Sequence, residues 1–126
     1  MESNPILAKW TVQQAAVCEK FGAELVVPDL EMNSGVSANI IGGAWFENGT
    51  WPLRGEHFLP TPTTTGWYIW AGENDDSVDY FKPVHTVHLE SWCADAVPYL
   101  GLPSGWSFYL APGVIDVWFA EEFLVE

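Results

Sequence analysis

The clearest alternation of apolar and polar positions lies near the C-terminus, where two period-2 runs flank Pro112-Gly113. It predicts a hairpin in which Ala111 faces Val114, Leu110 pairs with Ile115, Phe108 with Val117 and Trp106 with Phe119. The three apolar pairs are assigned to the core. Ser107, Tyr109, Ala111, Val114, Asp116 and Trp118 fall on the opposite face, and a Pro-Gly turn leaves room for a loop longer than two residues. Further upstream, Trp67, Ile69 and Ala71 alternate with Tyr68 and Trp70, as in a central strand covered on both sides. From Thr86 to Leu100 the spacing changes. Leu89, Trp92, Cys93, Ala96, Val97 and Leu100 follow a single helical stripe, with Thr86 as N-cap, Glu90 near the positive helix start and Gly101 as a left-handed stop. Pro98 predicts a kink or a loosened last turn.

The N-terminal half is less regular. Thr11 and Gln14 form a capping-box pattern for a helix ending near Phe21, with Gly22 placed to stop it. Glu24 to Val27 read as a short β segment ended by Pro28, and Ser34-Gly35 lies in a polar loop. The run Asn39 to Phe46 reads as a strand with a bulge or close approach at Gly42-Gly43. Asn48-Gly49 is a hairpin-turn dipeptide; its extension to Thr50 also matches a glycosylation acceptor. Pro60 to Thr65 reads as a connecting loop. Together these elements predict a single α+β domain, with an antiparallel sheet of about five strands and one or two helices packed on one face. Residues 1–33 form an N-terminal helix and short strand extension, and residues 34–126 the main body.

Composition narrows the function classes. The 126 residues are 48% hydrophobic and 15% aromatic, which gives enough apolar surface for one core. Four basic against 17 acidic residues give a net charge of −13, most of it from Gly66 onward. Nucleic acid is excluded as a direct ligand, because Lys9, Lys20, Arg54 and Lys82 cannot neutralise a phosphate backbone. A membrane is disfavoured too, since no apolar run approaches the roughly 20 residues of a spanning helix. The N-terminal Met-Glu-Ser-Asn-Pro lacks the basic and apolar regions of a secretory signal, so a cytoplasmic location is expected. Cys18 and Cys93 sit in apolar patterns and are expected as buried free thiols.

Several residue sets bear on chemistry. His85-x-x-His88 with Glu90, together with His57 beside Glu56, is the most enzyme-like grouping. Its spacing is not that of a helical metalloprotease, and no cysteine pair has finger spacing. Glu73-Asn74-Asp75-Asp76-Ser77-Val78-Asp79 invites a calcium-loop reading but lacks the turn glycine and the final bidentate Glu. There is no nucleophile elbow and no glycine-rich phosphate loop, and no residue set points to a metal or cofactor.

What stands out is aromatic surface beside carboxylates. Eight tryptophans exceed what one small core conveniently buries. Rings supply binding area, and carboxylates steer a basic partner. The order of Gly66-Trp67, Gly72-Glu73, Tyr80-Phe81-x-Pro83, His88-Leu89-Glu90, Tyr99-Leu100-Gly101-Leu102-Pro103-x-Gly105-Trp106 and Asp116-Val117-Trp118-Phe119 resembles bacterial immunity-protein family 33. The resemblance spans Gly66 to Leu124, with Asn39 to Trp51 as further opening strands; it leaves the residues through about Asn33 unmatched.

The resemblance implies an antitoxin that occludes or distorts the toxin domain encoded beside it, without catalysis or a cofactor. With no signal sequence, the toxin met would be one acting in the cytoplasm. The charge adds a basic toxin surface, such as that of a nuclease or nucleotide-targeting enzyme. The expected partner-binding residues, argued from surface geometry, are Glu73, Asp75, Asp76, Asp79 and Asp116, with Trp70, Tyr109 and Trp118 as aromatic anchors. Trp67, Leu89, Trp92, Leu100, Phe108 and Val117 are assigned to the core. Two rival readings are an enzyme that reverses a toxin's modification, which requires His57, His85 and His88 to converge with carboxylates, and an adaptor domain with no toxin.

Overall fold

The computed structural model describes residues 5–43, 45, 49–72 and 80–124. Helix α1 (Pro5–Phe21) is followed by strands β1 (Asn33–Ser37), β2 (Leu53–His57), β3 (Thr64–Ala71) and β4 (Phe81–His85). Next comes a broken helical segment: a 3-10 turn (Thr86–His88), helix α2 (Leu89–Trp92) and a second 3-10 stretch (Ala94–Tyr99). Strands β5 (Trp106–Ala111) and β6 (Val114–Phe119) lead into a last 3-10 turn, Glu121–Leu124. The six strands form one sheet in the order β4-β1-β3-β2-β5-β6. This is the expected α+β single domain, with one strand more than anticipated and a mixed rather than wholly antiparallel sheet, because β1 runs parallel to β3.

The hairpin forms in the expected register, from Ala111↔Val114 to Trp106↔Phe119, across a two-residue turn. Phe108 and Leu110 enter the core, whereas Ile115 and Phe119 are exposed. The apolar face stops being core at β6 because β6 is the sheet's edge, where an open trough separates Ile115 from Pro98 and Tyr99 of the helical segment. Strand β3 is interior, as its alternation predicts, with Trp67, Ile69 and Ala71 facing the helices; its Tyr68 and Trp70 side, expected to be covered as well, is left open by them, and Tyr68 is exposed.

Several sequence expectations are corrected. Helix α1 begins at Pro5, six residues before the proposed cap. Proline suits a first turn, and the Thr11 hydroxyl donates back to the Leu7 carbonyl (2.8 Å) instead of capping. Gln14 is fully buried and donates to the Val97 carbonyl (3.0 Å). Residues Glu24–Val27 are irregular, tied by one bond from the Val26 amide to the Gly101 carbonyl.

The strand placed at Asn39–Phe46 lies instead at Asn33–Ser37, and residues 38–43 are turns. Its polar sequence hides it. The Ser34 hydroxyl meets those of Thr65 and Thr86, each at 2.7 Å, so a buried strand carries hydroxyls that satisfy one another. In the Asn48-Gly49 turn, Asn48 lies outside the described residues, while Gly49 has φ +63°. Strand β2 was not anticipated; its Leu-Arg-Gly-Glu-His sequence has little apolar content.

The Thr86–Leu100 helix is broken at Cys93 (φ −155°, ψ 56°). Pro98 lacks an amide hydrogen, and the segment after the break is wound as a 3-10 helix. The stripe is nevertheless buried: Leu89, Cys93, Ala96, Val97 and Leu100 face inward, and Trp92 and Val117 pack partly against the core. Thr86 is no cap; its hydroxyl donates to the Met32 carbonyl (2.8 Å). Gly101 is not left-handed but is packed close, since a Cβ there would lie 2.6 Å from that of Gln14.

Both cysteines are buried free thiols, and burial pushes Cys93 up to about 12. Helix α1 is fastened by Glu90, which accepts from the Trp10 indole and from Lys9 (2.6 Å). Burial raises the Glu90 carboxyl, but the Lys9 and Trp10 hydrogen bonds pull it down and prevail. A carboxyl lowered in the folded state stabilises above its unfolded value and loses that contribution as pH falls through the folded one. Glu90→Gln is therefore expected to cost about 1–3 kcal/mol at neutral pH and less at acidic pH, checked by urea denaturation at both.

Candidate functional site

The helices cover one face of the sheet. The other face collects side chains by strand register, because cross-strand partners point the same way. Trp70 on β3 pairs with Arg54 on β2, Arg54 with Tyr109 on β5, and Tyr109 with Asp116 on β6. A second row runs Tyr68, Glu56, Ser107, Trp118. Phe81 of β4 stands edge-on to both Tyr68 (5.4 Å) and Trp70 (5.9 Å). The Arg54 guanidinium lies over the rings of Trp70 (5.4 Å) and Tyr109 (5.7 Å). Such cation–π contacts hold a cation in place while leaving its hydrogen-bond donors for other groups.

Sequence reading named Trp70, Tyr109, Trp118 and Asp116 from separate segments, and the fold brings all four onto this face. Their exposures differ. Asp116 is exposed, Tyr109 and Trp118 are half-buried, and Trp70 is only 3% exposed. Trp70 is thus a floor of the face rather than a projecting anchor. Its indole nitrogen and the Ser107 hydroxyl have no hydrogen-bond partner among the described residues. Glu73, Asp75, Asp76 and Asp79 lie outside the described residues, as does the calcium-loop segment they belong to.

Arg54, Glu56, Tyr68 and Phe81 were missed as site residues. Tyr68 was visible as the polar-side member of the β3 alternation, whereas Arg54 and Glu56 alternate with Leu53, Gly55 and His57 in too short a run to be read as a strand. Glu56, Phe58, Tyr68, Trp70 and Phe81 line a cleft of about 350 Å³. Burial raises the Glu56 carboxyl; Arg54 opposes this and Glu122 adds to it. At one end of the face Phe58 packs on Phe123 of the last 3-10 turn (4.7 Å) and on Tyr68 (5.5 Å).

The three histidines do not converge. His57 is buried on the helix side, with Nδ1 against the Leu102 carbonyl and Nε2 against the Thr65 carbonyl, both at 2.8 Å. Burial pushes its pKa down, despite the opposing backbone carbonyls of Thr65, Leu102 and Pro103. Both ring nitrogens are turned against backbone carbonyls inside the fold, so the ring is not presented to a metal or substrate. His85 and His88 stack on each other (6.0 Å), and His88 on Trp92 (5.1 Å). Among the described residues no group of three or more His, Cys, Asp or Glu could hold a metal ion, and no helix is long and apolar enough to cross a membrane.

The family description of the Imm33-like domain matches residues 13–120. The chain belongs to the Imm33-like family. The match reaches further toward the N-terminus than the Gly66–Leu124 resemblance, taking in residues 13–21 of α1 and strands β1 and β2, and so covers much of the stretch through Asn33 that the resemblance left unmatched. The strand residues of the open face of this Imm33-like domain, including Arg54 and Glu56, lie inside it. No significant match was found among curated proteins or among solved structures.

Proposed function

We propose that this Imm33-like chain is an immunity protein that binds a cognate toxin domain and blocks it stoichiometrically, without catalysis. The row Trp70, Arg54, Tyr109, Asp116 carries this reading: an aromatic sheet face left uncovered by the helices, on a chain of net charge −13. The rings supply contact area, and the surrounding carboxylates draw in a basic surface and exclude acidic ones. The toxin that fits is a basic, cytoplasm-acting domain of nuclease or nucleotide-targeting type.

The test is co-expression with the toxin encoded beside the gene, followed by affinity measurement over a range of salt concentrations. A complex at or below about 10 nM is expected, with association slowed by salt. Trp118→Ala and Tyr109→Ala are expected to weaken it by about tenfold or more. Asp116→Lys should slow association, with the defect shrinking at high salt. Protection of cells by substoichiometric amounts of this chain, with no complex formed, would overturn the reading.

A further inference from the structure

The two edges of the sheet are built differently. Strand β4 carries Lys82 and Pro83, which discourage pairing by another chain. Strand β6, Val-Ile-Asp-Val-Trp-Phe, has no Lys, Pro or Gly, and no strand among the described residues pairs with its outer side. Which backbone groups it offers follows from the register. The Ala120 amide donates to the Gly105 carbonyl, so alternation makes Trp118–Ser107, Asp116–Tyr109 and Val114–Ala111 the inward-bonded pairs. The amides and carbonyls of Ile115, Val117 and Phe119 therefore point away from the sheet.

Their surroundings suit an added strand. Ile115 is 56% exposed and Phe119 49%. On the helix side, Ile115 and Leu110 border a trough of about 760 Å³ that also meets Trp51, Pro98 and Tyr99. On the open face the edge presents Asp116 beside Trp118, with Glu121 and Glu122 just beyond.

We infer that β6 is the docking edge for an extended segment of the toxin, which adds a seventh strand to the sheet. This rests on the immunity reading above and names how the partner is held. The segment is apolar where it lies beside Ile115, Val117 and Phe119, and carries Lys or Arg where it lies beside Asp116. A second copy of this chain is a poorer occupant: pairing two β6 edges would bring together two chains of net charge −13, each with Asp116, Glu121 and Glu122 at or just beyond the seam. Backbone pairing supplies affinity, and the alternating side chains supply selectivity.

The experiment is amide hydrogen exchange by NMR, on the free chain and on its complex with an inactivated form of the neighbouring toxin. The amides of Ile115, Val117 and Phe119 are expected to exchange freely in the isolated chain and to slow by about 100-fold or more in the complex. Those of Val114, Asp116 and Trp118 are expected to be protected in both. Ile115→Pro removes an outward amide and no inward bond, and should weaken binding by about tenfold or more, whereas Ile115→Ala keeps the amide and should weaken it less. A tight complex in which the three outward amides still exchange freely overturns the edge proposal and leaves the immunity reading standing. Absence of any complex overturns both. Concentration-dependent protection of the three amides in the isolated chain assigns the edge to a second copy and overturns the toxin as its occupant.

Discussion

Replacing Trp67 with alanine is expected to lower stability by about 3–5 kcal/mol, the range for removing a large, fully buried aromatic side chain. Trp67 is 1% exposed and joins three parts of the core at once. Its indole donates to the Leu100 carbonyl (3.2 Å), its ring stacks on His57 (4.3 Å, 16°), and it tilts against Phe108 (5.7 Å). Alanine would leave a cavity, an unpaired Leu100 carbonyl and an unsupported His57 ring. The loss should appear in urea denaturation as a lower midpoint with an unchanged slope, the mark of altered stability within a two-state transition. Trp118→Ala provides the contrast. That ring is half-buried on the open face, so its removal should cost little stability while weakening the toxin complex.

Gly66→Ala is the second large effect, expected to cost about 2–4 kcal/mol. Gly66 has φ +91°, and a Cβ there would lie 2.2 Å from the Phe58 carbonyl oxygen. The approach is built into the sheet, because the Phe58 amide donates to the Gly66 carbonyl (2.9 Å) where the chain leaves β2 and enters β3. Alanine therefore meets two penalties, a backbone conformation hostile to any side chain and a collision with backbone that cannot swing aside. Gly113→Ala separates them. Its φ is +75° but nothing lies within 4 Å, so it should lose only about 1 kcal/mol. Thermal or urea unfolding of the two variants in parallel checks the difference. An equal loss would show that backbone conformation alone sets the cost at Gly66.

Gly66 also gives a physical reason for one member of the motif series that resembled the immunity family. Much of the resemblance was carried by residues whose jobs are structural: Gly66 at a backbone crossing, Trp67 and Leu89 in the core, and Glu90 tying the helical segment to α1. Phe81, Asp116 and Trp118 of the same series lie instead on the open face. Family membership was thus legible largely from fold-bearing residues, while the part of β2 in the proposed binding face, Arg54 and Glu56, had to be found from geometry.

Where structure is set by neighbours in sequence, the chain by itself determined the outcome. The β5–β6 register follows from a turn dipeptide and period-2 alternation, both local, and the pairing agrees residue for residue. The inward stripe from Leu89 to Leu100 was legible because spacing selects the buried side even where the helix carrying it breaks at Cys93. The helix's breaking point, the true start of α1 and the strand at Asn33–Ser37 were not. The strand rests on partners distant in sequence, Thr65 and Thr86 for Ser34, and Gln14 is claimed by Val97 instead of a capping box. The candidate face is the extreme case. Trp70, Arg54, Tyr109 and Asp116 come from four strands, and they form one row only because β2, with little apolar signal of its own, inserts between β3 and β5. The sequence held the alternation that sorts each side chain to a face; only tertiary pairing, which trades chain entropy for long-range backbone bonds, decided which faces became one surface.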